Sequence, residues 1–434
     1  MKKVLIIANL FHASPRIPGL TSYLPEFGWE ATIITPPLIP KDKKFLDLSL
    51  KFFEKTKIVE APYKGDILWF WRKLMAKLGF KKDRSLTEQL KEKIGIQKRK
   101  GLIDKLLFLY QSIFGFPDTE RYWLKPALKT SGAALRPNKF DALISSSPYP
   151  TSHFVAEKIK KEFKIPWLAD FRDPWSQNHD YPYGPIRKIL DTKLEKKTIK
   201  TADAIVAASF GYSKKQEKLH QRPVFTITNG FDPELINNTS QPLTKKFTIT
   251  YTGKIYAGKQ DPTKLFAGVS DLIMENLLNP QDIEIRFYEK EQVWLEKEIK
   301  KYGLQNIAIQ HGQLPRMEAI KRQQESQILL LLCWEDLTET GVYPLKIFEY
   351  LASQRPILAT GGSRNEDVKR IIKETKSGVS AITVDEIKNC LKIFYQEYKR
   401  TGRVFCQGDL KKIEQYSYLS MAKKFAEILN YITL

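Results

Sequence analysis

Cysteine is scarce. Cys333, Cys390 and Cys406 are the three in 434 residues, and they fall in no pairing or metal-ligand pattern. That excludes a disulfide-stapled scaffold and points to a reducing, cytoplasmic compartment. Long hydrophobic runs are missing as well: none approaches the roughly 18 apolar residues that a membrane-spanning helix needs. The opening MKKVLIIANLF imitates a signal peptide with two lysines and an apolar run. The run is short and leads into a loop, so it reads as a first β-strand. Neither a G-x-G-x-x-G fingerprint nor a Walker A loop occurs, which removes a dinucleotide oxidoreductase and a P-loop NTPase. With no D-x-D triplet in the second half and no His or Cys cluster at ligand spacing, no metal is expected. There is no internal repeat and no low-complexity tract.

Acidic charge is also short, with 49 Asp and Glu against 71 Lys and Arg, a formal net charge of +22. Half of the excess sits in residues 41–130, which hold 22 Lys and Arg against 11 Asp and Glu. That stretch is rich in aromatics: Phe52, Phe53, Trp69, Phe70, Trp71, Phe80, Phe108, Tyr110, Phe114 and Phe116. Lysines beside exposed rings suit an anionic membrane surface, where headgroups attract the cations and the rings enter the interface. The same composition also describes a solvated helical face over an ordinary core stripe. No nucleic-acid-binding motif accompanies the charge, so no nucleic acid is expected as a partner.

Apolar content of 42% and this length imply a globular chain of two domains. Short β-branched runs alternate with lysine-rich helical runs, the mark of βαβ units. Strands are expected at 4–8, 31–35, 142–145, 167–170, 204–207 and 224–227, then at 247–251, 283–288, 307–311, 328–332 and 356–359. The polar segment 229–246, with Pro233 and Pro242, reads as a linker. The expected domains are therefore 1–230, carrying the basic insertion 41–130, and 231–414, with a last helical segment at 415–434. The fold class is α/β, two doubly wound parallel-sheet, Rossmann-like domains facing across a cleft. Open parallel sheets bind ligands beyond the carboxyl ends of their strands, which directs attention to the loops there.

Residues 339–360, ETGVYPLKIFEYLASQRPILAT, follow the buried strand 328–332. Pro344 fits a first helical turn, so the helix is expected to begin there and to carry Lys346 and Glu349 near its start, a geometry suited to a nucleotide ribose. Lys346, one turn before Glu349, either reaches a phosphate or pairs with that glutamate. In YTGKIYAGKQDP, Gly253 precedes Lys254 and Lys259, two cations on a glycine-containing loop that suit a diphosphate. PWLADFRDPW places Asp170, Arg172 and Asp173 at a strand end, SSSPYP offers Ser147 at another, and NLFHASPRIPG holds His12, Arg16 and Gly19 after the first strand.

YLPEFGWEATIITP, SSSPYPTSH, PWLADFRDPW, ITNGFDPE, TGKIYAGK and KIFEYLASQRPILA, in this order, resemble glycosyltransferase family 4, retaining enzymes of the GT-B fold, and bacterial members that build surface polysaccharides in particular. The resemblance spans nearly the whole chain. It implies that Gly253, Lys254 and Lys259 bind the donor diphosphate, that Glu349 accepts hydrogen bonds from the ribose, and that the 9–19 loop with Gly19 lies beneath donor and acceptor. It implies catalytic roles for Arg172 and Asp173 with the two lysines, and an acceptor wall of His12, Arg16, Ser147 and His153. Where the family has the first Glu of an E-x7-E pattern this chain has Gly341, with Glu339 two residues earlier as the substitute. The co-substrate is expected to be a nucleotide sugar, UDP-linked rather than GDP-linked. The acceptor is lipid-linked or a polysaccharide, and the place of action is the inner face of the plasma membrane. Two rival readings are an epimerase-like nucleotide-sugar enzyme and a noncatalytic binding protein on the same scaffold.

Overall fold

The computed structural model describes residues 1–13, 15–38, 52, 56–63, 65, 69, 73, 109–237, 241–336, 340–362 and 366–434. The chain forms two compact units: Met1–Ala208 with Ser213–Ile227 and Ala422–Leu434, and Ser209–Tyr212 with Thr228–Met421.

Among the described residues the first unit has seven strands: β1 (Lys2–Ile7), β2 (Trp29–Thr35), β3 (Lys57–Glu60), β4 (Ala142–Ser146), β5 (Trp167–Phe171), β6 (Ala204–Ala207) and β7 (Phe225–Thr226). They pair in the order β3-β2-β1-β4-β5-β6-β7, every neighbour parallel. β1 lies inside the sheet, with Val4 opposite Ala31 on one side and Ala142 on the other. Its VLII run is fully buried, as a strand covered on both faces requires. The helix Tyr418–Ile432 brings the end of the chain to this unit. There Phe425 is buried, and Lys2 donates to Asn430 Oδ1 at 3.3 Å and Thr433 Oγ1 at 3.0 Å.

The second unit holds β8 (Phe247–Thr252), β9 (Ile283–Tyr288), β10 (Ala308–Gln310), β11 (Ile328–Leu332), β12 (Ile357–Thr360) and β13 (Gly378–Ala381), ordered β10-β9-β8-β11-β12-β13 and again all parallel. Its unbroken run ILLLL is explained by two cores. Ile328, Leu330 and Leu332 point to one, shared with the helices Thr263–Met274 and Val384–Thr401. Leu329 and Leu331 point to the other, shared with the helices Lys346–Ala352 and Glu366–Thr375. Side chains alternate between faces along a strand, so both sets are buried.

All eleven strands expected from the sequence are present, shifted by at most two residues. Two further strands, β3 and β13, were not foreseen. Both lie at sheet edges and are half-exposed, so their sequences, KIVE and GVSA, carry little apolar signal. β3 and the buried Phe52 fall inside the stretch expected to meet a membrane; residues 41–51, 53–55, 64, 66–68, 70–72 and 74–108 of that stretch lie outside the described residues. The segment 9–19, expected as a loop, is mostly helical: Leu10–Ala13 and then Arg16–Tyr23. Among the described residues no helix is long and apolar enough to cross a membrane.

Leu330 is fully buried in a central strand. Leu330→Ala should lower stability by about 2–5 kcal/mol, through lost transfer energy and the cavity left behind; urea denaturation of the two proteins side by side measures it.

Candidate functional site

In the second unit the loops after β8, β9, β11 and β12 gather at the carboxyl edge of the sheet. β8 ends at Thr252, and the chain turns at Gly253, whose φ of +82° is open to glycine. A Cβ there would lie 3.0 Å from Lys346 Cε, so the glycine also lets Lys346 pass close beneath the backbone. Lys254 is exposed, with its ammonium 4.6 Å from the Tyr256 ring centre, and Lys259 lies 4.5 Å from that of Trp334. Lys346 Nζ sits 5.0 Å over the Tyr251 ring and donates to the Lys254 carbonyl at 3.3 Å. Burial lowers its pKa to about 8, against the upward pull of Glu349 and Glu289. Glu289 is itself buried, which raises its pKa; it accepts from Ile255 N at 2.7 Å and Gln292 Nε2 at 2.6 Å.

The helix bearing Glu349 starts at Lys346, two residues later than expected, because Pro344 and Leu345 form the turn that leads in. Glu349 is part-exposed and accepts from Arg316 Nε at 2.9 Å. Lys346 is therefore turned toward the Lys254 loop, and Arg316 holds the glutamate. Beside them Glu335 accepts from Lys264 at 3.2 Å, and a Cβ on Gly361 would lie 2.7 Å from Glu335 Oε1. Gly361 and Gly362, both at positive φ, follow β12 directly. Arg316, Lys264, Glu335 and the glycine pair escaped the sequence reading. The TGG after a buried strand was the available signal for the last; the others pair across 33 and 71 residues of chain, which no local pattern reports.

Gly341 explains the departure at the first family Glu position. Its φ is +93°, and a Cβ would come within 2.7 Å of Tyr212 N and 2.9 Å of Gly211 C. No side chain fits there. Glu339 lies outside the described residues.

In the first unit, Arg172 and Asp173 follow β5 at the carboxyl edge. Arg172 Nη1 donates to the His12 carbonyl and stands 3.8 Å from Asp173 Oδ2. Ser147 Oγ bonds both the amide and the carbonyl of Asp173, at 3.0 and 2.7 Å, which ties the loop after β4 to the loop after β5. His12 is half-buried, edge-on to Tyr149. Arg16 and His153, by contrast, are fully buried. Arg16 is bidentate to Asp170, with Nε 3.0 and 3.1 Å from the two carboxylate oxygens and Nη2 at 2.8 Å from one, and its guanidinium lies 5.2 Å from the Phe425 ring centre. Ser146 Oγ donates to the same carboxylate at 2.7 Å. His153 Nδ1 shares a 2.7 Å hydrogen bond with Ser145 Oγ, and burial lowers its pKa to about 4, so the ring is neutral at pH 7. Gly19 is buried inside the helix Arg16–Tyr23 rather than at a turn. These inward-facing groups fix the strand ends that carry Ser147, Arg172 and Asp173. Among the described residues no group of three or more His, Cys, Asp or Glu is placed to hold a metal ion.

Solved structures share this fold, with 99% or more of this chain covered. A glycosyltransferase from Rickettsia africae matches with a TM-score of 0.63 and 13% identity, covering 99% of this chain and 98% of that one. Anabaena Alr3699/HepE in complex with UDP matches with a TM-score of 0.60 and 11% identity, covering 99% and 100%. Sucrose-phosphate synthase from Thermosynechococcus elongatus matches with a TM-score of 0.59 and 12% identity, covering 100% and 99%. The chain has the GT-B architecture. No family model matches it, and no curated protein sequence does either. At these identities the likeness establishes the two parallel, doubly wound sheets of that fold.

Because both the backbone angle and the space at Gly341 require glycine, Gly341→Glu should destabilise the protein by at least about 2 kcal/mol, from backbone strain and overpacking together. A lowered thermal midpoint checks this; an unchanged one would mean that the 340–345 loop moves freely off Gly211.

Proposed function

We propose that the protein is a glycosyltransferase that moves a sugar from a nucleotide diphosphate to a lipid-linked or polysaccharide acceptor in cell-surface glycan synthesis. The observation that carries this reading is the convergence of Lys254, Lys259, Lys346 and Glu349 at one carboxyl edge, on the loops after β8 and β11. Two backbone turns and three ammonium groups suit a diphosphate, and a part-exposed carboxylate beside them suits the ribose hydroxyls. The donor is UDP-linked in this reading, which the UDP and UDP-glucose complexes of Anabaena HepE support.

Lys254 and Lys259 stabilise the departing phosphate, and Lys346 adds a third positive charge. That phosphate takes the proton of the acceptor hydroxyl on the face it leaves, so configuration is retained and no protein nucleophile is required. Asp173, held by Ser147, orients the acceptor hydroxyl; Arg172, always cationic, balances developing negative charge and cannot serve as a base. The lysines do the work a cation would otherwise do, and the enzyme acts in the cytoplasm, where its three thiols stay reduced.

Isothermal titration with UDP and GDP tests the reading. UDP should bind, and Glu349→Ala should weaken it by about tenfold, the worth of one or two hydrogen bonds to a charged group. Binding of neither nucleotide would sink the proposal.

The pH dependence is set by Lys346. Its ammonium form prevails below about pH 8, where it attracts the diphosphate, and is lost above. UDP affinity should therefore fall as pH rises through 8, by no more than about tenfold per pH unit for a single proton. Lys346→Met should flatten that profile, and an equally steep profile in the variant would assign the titration to another group.

A further inference from the structure

The helix Pro185–Ile199 and the helical residues 109–114 form a surface that the chemistry above does not use. Ile186, Ile189 and Leu190 on the first, and Leu109, Ile113 and Phe114 on the second, are each 48 to 77% exposed. Scattered singly such residues need no explanation, but six together do. Arg187 joins the two segments. It turns inward, donates to the carbonyls of Ser112, Gly115 and Pro117, pairs with Asp191 at 3.0 Å and lies over the rings of Phe116 and Tyr183. The apolar side chains are thus presented outward from a fixed frame.

Among the described residues of these two segments, the exposed charge has one sign. Residues 109–117 carry no charged side chain. Along the helix, Ile186, Ile189 and Leu190 continue at helical spacing into Lys193 and Lys197, with Lys188 and Lys196 flanking, all of them exposed. The two acids of the helix are turned in: Asp191 bonds Tyr181 and Arg187, and Glu195 accepts from Ser176 N. An apolar patch that gives way to a lysine stripe matches the boundary of an anionic bilayer, where apolar side chains enter the acyl region and ammonium groups stay among the headgroups. A second copy is a poorer occupant, since a twofold contact repeats the same one-signed surface on both sides and offers the lysines no opposite charge.

We infer that this surface docks the protein on an anionic lipid membrane. Its place in the first unit gives the docking a use. Asp118 accepts from the amide and hydroxyl of Thr151, in the first turn of the helix Pro150–Phe163, which follows the carboxyl end of β4. The helix Pro185–Ile199 is reached from the carboxyl end of β5 through residues 172–184. The patch therefore flanks the edge that carries Ser147, Arg172 and Asp173. If the proposed transferase activity holds, docking here brings a lipid-linked acceptor to those residues; the surface itself is argued independently of that activity.

Sedimentation of the full chain with vesicles tests the inference, using phosphatidylcholine alone and phosphatidylcholine mixed with phosphatidylglycerol. The unmodified protein should bind the mixed vesicles and not the neutral ones. Ile186→Glu with Ile189→Glu, and separately Lys193→Glu with Lys197→Glu, should each lower the partition coefficient by more than about tenfold. All four positions are exposed, so melting temperature should be unchanged. Failure of the unmodified chain to bind anionic vesicles, or full binding by both variants, overturns the inference. So does an apolar-patch variant that turns a dimer into a monomer in velocity sedimentation without vesicles, since the occupant is then a second copy. UDP titration of the same samples separates the two readings: vesicle binding without UDP binding keeps the surface and sinks the transferase, and the reverse keeps the transferase alone.

Discussion

Parallel pairing is the constraint on which the rest of this protein depends. When every strand in a sheet runs the same way, each must be reached by a crossover, and all loops that leave the strands emerge at one edge. Among its described residues the chain meets that requirement twice, with seven strands and with six. Residues far apart in sequence thereby become neighbours without any local signal. Lys254 and Lys346, 92 residues apart, meet because β8 and β11 are adjacent, and Ser147 meets Asp173 because β4 and β5 are. Crossover helices cover both faces, which is why the strands read as continuous apolar runs.

What sits at the two edges differs in kind. In the second unit, glycines admit close backbone approach and aromatic faces support the ammonium groups of Lys254, Lys259 and Lys346. A ring attracts a cation by about 0.5–1 kcal/mol at an exposed position, enough to orient it while leaving its charge for a ligand. In the first unit the support is ionic and sealed from water. The Arg16 to Asp170 pair has no exposed atoms, and its cost of desolvation is offset by three short contacts and the hydroxyl of Ser146. Such a pair ties the helix Arg16–Tyr23 to the end of β5, and Ser146 adds the end of β4; removal of one partner would leave a charge with no solvent.

The architecture was legible because apolar β-branched runs alternate with lysine-rich helical runs, and even the ILLLL strand declared its double burial. Two edge strands were not, since half-exposed positions do not demand apolar residues. At the site, the spacing of Lys254 and Lys259 and the carboxylate of Glu349 could be read, but what each side chain does could not. Arg16 reads as part of a loop that forms an acceptor wall, and it lies buried within a helix, paired with Asp170. Lys346 reads as a phosphate ligand or a partner of Glu349, whereas Arg316 takes the glutamate. Gly341 reads as a missing contact and is a packing requirement. In each case the deciding neighbour is distant in sequence, Asp170 in β5 and Arg316 and Tyr212 in helices, so the local sequence does not report its approach.

The helix that ends the chain belongs from Ala422 onward to the unit that begins it. Phe425, buried over the Arg16 guanidinium, and Asn430 and Thr433, holding Lys2, are the last parts of that unit to be synthesised. The first unit emerges from the ribosome early yet must wait, with the guanidinium of its central ion pair uncovered, until the second unit has been made in full. Completion of the first unit's core thus follows synthesis of the second unit, and it makes the integrity of the first a report on whether the second has been translated.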